Sequence, residues 1–298
     1  MRDRMTLSRR RRDTIAAGLF LGPDVIGLCV FVFLPIAFAL YVSFFKWDLI
    51  SPMEFVGLEN YRRMIADGDW WRSVGRTIEF ALLYVPVLFA ASLALAVGFS
   101  KIPKKASEIL RSAYLLPFAI TSVIAATLWM FLYNEKSGYI NGALNLIGVG
   151  DQQFIGSPKQ AMLSIAAVVI WTNLGYTSML FYSAIKEIPG EILEAARIDG
   201  ASGSKIFWRI TLPLIRSTSI FVAITSTIAA FQVLDLILVM TKGGPADATQ
   251  VGVLYIYQRS FEGLEMGYGS ALSVVMFLIL LAISMAQLKV SSRNSLES

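Results

Sequence analysis

The chain has 298 residues, of which 56% are hydrophobic and only 16% charged, against roughly 25% charged in soluble domains, so it reads as an integral membrane protein. It has no histidine and one cysteine, which excludes a histidine-liganded metal, a Ser-His-Asp triad and an internal disulfide. The net charge of +5 does not point to nucleic acid. Six arginines (Arg2, Arg4, Arg9, Arg10, Arg11 and Arg12) immediately precede apolar sequence, the pattern of a cytoplasmic flank of a membrane helix.

A membrane-crossing helix needs about 20 apolar residues, and six segments meet or approach that length. The first, Val25–Phe45, runs without a charge and is longer than the roughly 7–15 residues of a signal-peptide core, so it is read as a retained helix. Cys29 lies inside it and is read as packing, as a small hydrophobe. The second is Thr77–Ser100, with Glu79 near its start. Ahead of it, Trp70 and Trp71 are expected at the interface or over the outer mouth. The third is Ser112–Tyr133, the fourth Met162–Ile185, the fifth Thr218–Met240 and the sixth Gly269–Leu288. Backbone groups in lipid must be satisfied within the segment, so these are helices, and the expected class is an all-α integral membrane protein with six transmembrane helices.

Seventeen of the 26 Lys and Arg residues fall at the two termini and in the segments Lys101–Arg111 and Lys186–Arg216. The other nine are nearly balanced by acids. This asymmetry places both termini in the cytoplasm. No Gly-x-x-x-x-Gly-Lys-Ser/Thr loop occurs, so the chain does not bind ATP through such a site.

The most informative segment joins the fourth and fifth spans, residues 186–213. Pro189 suits an early helical position, and Ile192, Leu193, Ala195, Ala196 and Ile198 form one face of an amphipathic helix. Gly200 and Gly203 stop it, and a second helical piece begins at Lys205. A helix of this kind lies on a membrane or fits a partner's groove. Glu194-Ala195-Ala196, three residues, Gly200, nine residues, Ile210 and then Leu212-Pro213 resemble the EAA signature of ABC importer permeases. The resemblance implies a type I ABC importer permease fold. It makes Glu194, Ala195, Ala196, Asp199 and Gly200 a coupling helix, with Glu194 facing a basic residue of a separate ATPase.

A second group narrows the resemblance. Phe231-Gln-Val-Leu-Asp235 with Thr241-Lys-Gly-Gly-Pro245 is similar to the fifth helix of carbohydrate-uptake permeases of the maltose and glycerol-phosphate type. Phe55-Val-Gly-Leu-Glu-Asn-Tyr61, Leu115-Leu-Pro117 with Trp129, Gly138-Tyr-Ile-Asn141 and Met266-Gly-Tyr-Gly-Ser-Ala271 resemble other parts of the same family. Arg76 departs from its pattern, which has Asn before the Thr. The domains expected are a basic cytoplasmic stretch (1–24), the first span with its outer loop (25–74), a permease core (75–288) and a cytoplasmic tail (289–298). The partners implied are a second permease subunit, a cytoplasmic ATPase dimer holding ATP and Mg, an extracytoplasmic solute-binding protein, a sugar substrate and membrane lipid. The location implied is the bacterial inner membrane, and no cofactor is expected on this chain.

Polar groups within spans face a bundle interior or a wet path. Thr172, Asn173 and Tyr176 on the fourth span, and Ser226, Gln232 and Asp235 on the fifth, are therefore candidate path residues. Thr172 and Tyr176 are expected on one face, as are Gln232 and Asp235. The bland reading of the same residues is hydrogen bonding between helices. A stand-alone transporter or channel would call for ion-binding carboxylates in the spans, and only Asp235 offers one. A membrane enzyme lacks both histidine and a paired acid site.

Overall fold

In lipid the backbone must close its own hydrogen bonds, and among the described residues of the computed structural model five helices are long and apolar enough to cross a membrane: Ala17–Val42, Gly68–Lys101, Ala161–Lys186, Arg216–Met240 and Met266–Val290. A bent pair, Lys104–Ala119 and Ser122–Leu132, makes the sixth span. The structure describes Thr14 and residues 17–293. The six N-terminal arginines, Arg2 through Arg12, lie outside the described residues.

The third span differs from the continuous helix expected over Ser112–Tyr133. Its two halves meet at 100°. Pro117 sits at the start of the short tight turn Leu116–Ala119 and brings no backbone donor. Ile120 and Thr121 are then extended, and the Thr121 hydroxyl accepts from the Ile124 N–H to start the second half. A capped start of this kind is worth about 1 kcal/mol. The fifth span is also interrupted, as Arg216–Phe231 and Asp235–Met240, with residues 232–234 between them.

The chain divides into two compact units, residues 1–67 with 256–275, and residues 68–255 with 276–298. In the first unit, the outer end of the first span leads into two short antiparallel strands, Phe45–Lys46 and Glu54–Phe55, with Phe45 opposite Phe55. The buried Asn60 locks this turn by donating to the carbonyls of Ser43 and Phe45, both at 2.9 Å. Arg63 holds Glu265 through two hydrogen bonds, of 2.7 and 2.9 Å, and lies 4.0 Å over the Tyr268 ring. Those bonds to Glu265 raise the Arg63 pKa above its already high ordinary value, so the guanidinium stays charged throughout the working pH range. The Tyr268 hydroxyl donates to Asp67 at 2.6 Å. At Gly267 a Cβ would lie 1.9 Å from the Phe45 carbonyl oxygen, so the Met266-Gly-Tyr-Gly segment is small where the backbones meet.

The second unit holds the core. Leu93 and Ala96 of the second span, Phe181 of the fourth, and Ile215 and Val222 at the start of the fifth form one buried cluster. Gly175 lets the fourth span approach the third so closely that a Cβ there would fall 1.8 Å from the Tyr114 carbonyl oxygen. Trp70 corrects the expectation of an interfacial ring: it is fully buried and packs 6.1 Å from Tyr255, while Trp71 is the exposed member of the pair. Cys29 is exposed on the first span, so it does not pack within this chain.

The departure at Arg76 leaves the neighbouring contact intact. Arg76 pairs with Glu79 at 2.7 Å, one turn along the same helix. Thr77 is fully buried, donates to the Ser73 carbonyl at 3.0 Å and accepts from the Gly252 N–H at 2.8 Å. Thr77→Val keeps the shape and strands that buried N–H, at a cost of about 1–3 kcal/mol. The expected result is a lower midpoint of thermal unfolding in detergent, with Thr77→Ser close to wild type. A Val variant as stable as wild type would show that the bond contributes nothing.

Candidate functional site

The segment between the fourth and fifth spans is built from a short helix, a glycine stop and a second helical piece. Pro189 is extended, with φ −56° and ψ 129°, and precedes the helix Gly190–Ile198. The helix ends by backbone chemistry that accounts for the spacing of the motif. Gly200 has φ +74°, a left-handed conformation that costs glycine little. Its N–H reaches the Arg197 carbonyl at 3.0 Å, and the Ala201 N–H reaches the Ala196 carbonyl at 2.9 Å. These two bonds form a Schellman stop, so Gly200 must stand four residues after Ala196. Ser202 then accepts from the Lys205 N–H to start Gly203–Ile206, and the turn continues through Phe207–Thr211 to Leu212–Leu214.

No residue of Gly190–Ile198 is buried. Ile198 is 87% exposed and Ile192 41%, and Glu194, Ala195, Asp199 and Gly200 are exposed beside them, with Ala196 half-buried. Exposed apolar side chains interleaved with carboxylates form a surface suited to a protein partner rather than to lipid alone. The two ends of the segment are fixed, because Ile185, Ile188, Phe207 and Leu212 all pack on the buried cluster of Leu93, Ala96, Phe181, Ile215 and Val222. The exposed helix is thus a projection held at both ends on the second, fourth and fifth spans. The anchors Ile188 and Phe207 were not singled out from sequence. Their signal was available as apolar residues flanking an otherwise polar loop.

The expected path residues divide. Thr172 is buried and its hydroxyl donates to the Val169 carbonyl at 2.9 Å; the Asn173 amide donates to the same carbonyl at 2.9 Å and to Thr172 Oγ1 at 3.2 Å. Thr172 and Asn173 are therefore brought together, with these groups turned to their own helix. Tyr176 is 41% exposed and stacks on Phe118, with ring centres 4.5 Å apart and planes within 9°. Thr172 and Tyr176 stand four apart on the unbroken helix Ala161–Lys186, the spacing expected of one face, and differ in burial. Phe118 was missed because it lies in the bend of the third span. Ser226 is buried, while Gln232 and Asp235 are exposed. The helix stops at Phe231 and restarts at Asp235, so Gln232 and Asp235, both exposed, stand at a break rather than on the unbroken helix expected.

Residues 63–294 match the family described as binding-protein-dependent transport system inner membrane component. The chain is 32% identical over 280 residues to a sulfoquinovosyl glycerol transport system permease protein of Agrobacterium fabrum, covering 93% of this chain and 91% of that one. It is 31% identical over 291 residues to a trehalose/maltose transport system permease protein of Thermococcus litoralis, covering 97% and 98%. Its fold is similar to that of a bacterial ABC transporter involved in the import of the acidic polysaccharide alginate, with a TM-score of 0.82 at 21% identity over 97% of this chain and 99% of that one. The six apolar spans, the fold they share with an importer permease and the match along most of the sequence agree: the chain belongs to the family of binding-protein-dependent transport system inner membrane components.

Proposed function

We propose that this chain forms half of the translocation path of an ATP-driven importer for a sugar or related carbohydrate. It is a transport subunit and not an enzyme. The observation that carries the reading is the exposed helix Gly190–Ile198, held at both ends on the buried cluster of three spans. In this reading a cytoplasmic ATPase dimer, which holds ATP and Mg, seats on that helix through Glu194, Ala195, Ala196, Asp199 and Gly200. Closure of the dimer shifts the helix, and the fixed ends carry the shift into the spans, which rock between two states. A second permease subunit completes the path, and an extracytoplasmic solute-binding protein delivers the solute to the outer side of a bacterial inner membrane. The carbohydrate class is supported by the relatives, named as permeases for sulfoquinovosyl glycerol and for trehalose/maltose. Tyr176 with its partner Phe118 suits the apolar face of a sugar ring, and the exposed Gln232 and Asp235 suit its hydroxyls. A stand-alone transporter has no use for a projecting helix of this kind, and the family match sets that alternative aside.

The test is co-purification. The tagged chain, expressed with the genes that neighbour its own, is expected to retain an ATPase and a second permease through detergent extraction. If the chain folds, enters the membrane and brings down no ATPase, the reading fails.

A further inference from the structure

A second feature of the basic side of the molecule takes no part in the coupling helix. Where the second, third and fourth spans meet, a pocket of about 270 Å³ is lined by Lys104, Ser107, Glu108, Arg111, Tyr182 and Lys186, with Phe99 and Ile102 at its apolar wall. Three cations face one carboxylate. The Arg111 guanidinium lies 4.2 Å over the Tyr182 ring, and its Nε donates to the Ser107 carbonyl at 3.2 Å. That arrangement fixes the fork in place and leaves its terminal nitrogens for another group. The Lys186 ammonium lies 5.7 Å from the same ring. The helix Lys104–Leu115 starts here behind Pro103, and no side chain caps its first turn.

Ser107 supplies an independent observation. It is 2% exposed, lines the pocket, and its hydroxyl has no hydrogen-bond partner. A helical serine commonly bonds back to the carbonyl four residues earlier, yet here the Pro103 carbonyl accepts only from the Ser107 N–H. A buried hydroxyl left without a partner is destabilising, and an incoming acceptor oxygen would relieve it.

We infer that this pocket binds a phosphate group. Ammonium and guanidinium donors, a hydroxyl and an uncapped helix start are the donor set that phosphate oxygens take. Its place between spans on the basic side suits the headgroup of an anionic lipid, the ligand class known for basic pockets between membrane helices. Ile109 and Leu110, exposed at 69% and 43% on the same helix, give acyl chains an apolar surface beside it. A soluble phosphate compound offers the same oxygens without the chains, and the two sources separate by experiment.

The full chain, purified with its co-expressed partners, is titrated with phosphatidylglycerol and with phosphatidylcholine, and bound lipid is counted by native mass spectrometry. In parallel, its thermal stability is read in inorganic phosphate against chloride at matched ionic strength. The expected result is preferential retention of phosphatidylglycerol, weakened about fivefold by Lys104→Gln or Lys186→Gln, as the loss of one cation near a membrane surface implies. Lys105→Gln, which removes a neighbouring charge that does not line the pocket, is expected to leave retention unchanged. Ser107→Ala, which alters no charge, is expected to weaken retention as well. Stabilisation by inorganic phosphate that is lost in the same variants, without a lipid preference, would assign the site to a soluble phosphate. Equal retention of the two lipids with no phosphate effect, or equal losses in Lys105→Gln, would overturn the proposal.

Discussion

Glu194→Lys is expected to release the ATPase and abolish uptake while leaving the chain folded in the membrane beside its partner permease. Glu194 is exposed on a helix none of whose residues is buried, and surface substitutions of that kind change stability by about 0.5 kcal/mol or less. The loss therefore falls on association. Reversing a charge that meets a basic group at a closed interface removes an attraction and adds a repulsion, and losing one partner of such a pair costs about 2–5 kcal/mol. Affinity would then fall by two orders of magnitude or more. The measurements are the amount of ATPase retained on the tagged chain and the uptake of solute into intact cells, with retention of the second permease as the internal control. Wild-type retention of the ATPase by the variant would remove Glu194 from the contact.

Gly175→Ala is expected to destabilise the second unit, and Gly175→Val to keep the protein from accumulating in the membrane. The first added carbon at this position lies 1.8 Å from the Tyr114 carbonyl oxygen, 2.4 Å from its carbon and 2.9 Å from the Leu115 nitrogen. These are backbone atoms of the third span, with no flexible end to swing aside, so the fourth span must move away from it. Overpacking costs about 1–3 kcal/mol and occasionally more, and separating two spans places this case at the upper end. The same displacement would part Tyr176 from Phe118, so solute uptake should fall even in the fraction that folds. Gly98 is the control. It lies in the helix Gly68–Lys101 with nothing within 4 Å of its added carbon, and Gly98→Ala should be neutral or stabilising by about 0.5–1 kcal/mol. Equal thermal midpoints for Gly175→Ala and Gly98→Ala would show that the close approach does not matter.

The helix Gly190–Ile198 was readable because its signals are local. The glycine that ends it sits at the one spacing at which Ala201 and Gly200 can close on Ala196 and Arg197, and that spacing is written in the sequence. The spans were readable by length, because lipid demands about 20 apolar residues whatever their order. Their interruptions were not. Hydropathy does not register that Pro117 and Thr121 turn the third span through 100°, nor that residues 232–234 divide the fifth. The sides of the spans were also hard to assign, since lipid-facing and core-facing side chains have the same chemistry. Thr172 and Tyr176 stand four residues apart on one unbroken helix, yet the first is buried and the second exposed, a difference that spacing alone does not register. Trp70 suggested a headgroup anchor by its type, and tertiary packing against Tyr255 took it inside.

The anchoring of residues 186–213 also bears on how such proteins diversify. Both ends of the segment rest on a single apolar cluster, and none of its exposed helix is needed to fill that cluster. The stretch from Gly190 to Ile206 is therefore an interchangeable cassette. On the function proposed above, its surface can change to suit a different motor while the packing of the spans stays as it was, so fit to the motor and fit to the cargo are free to evolve separately.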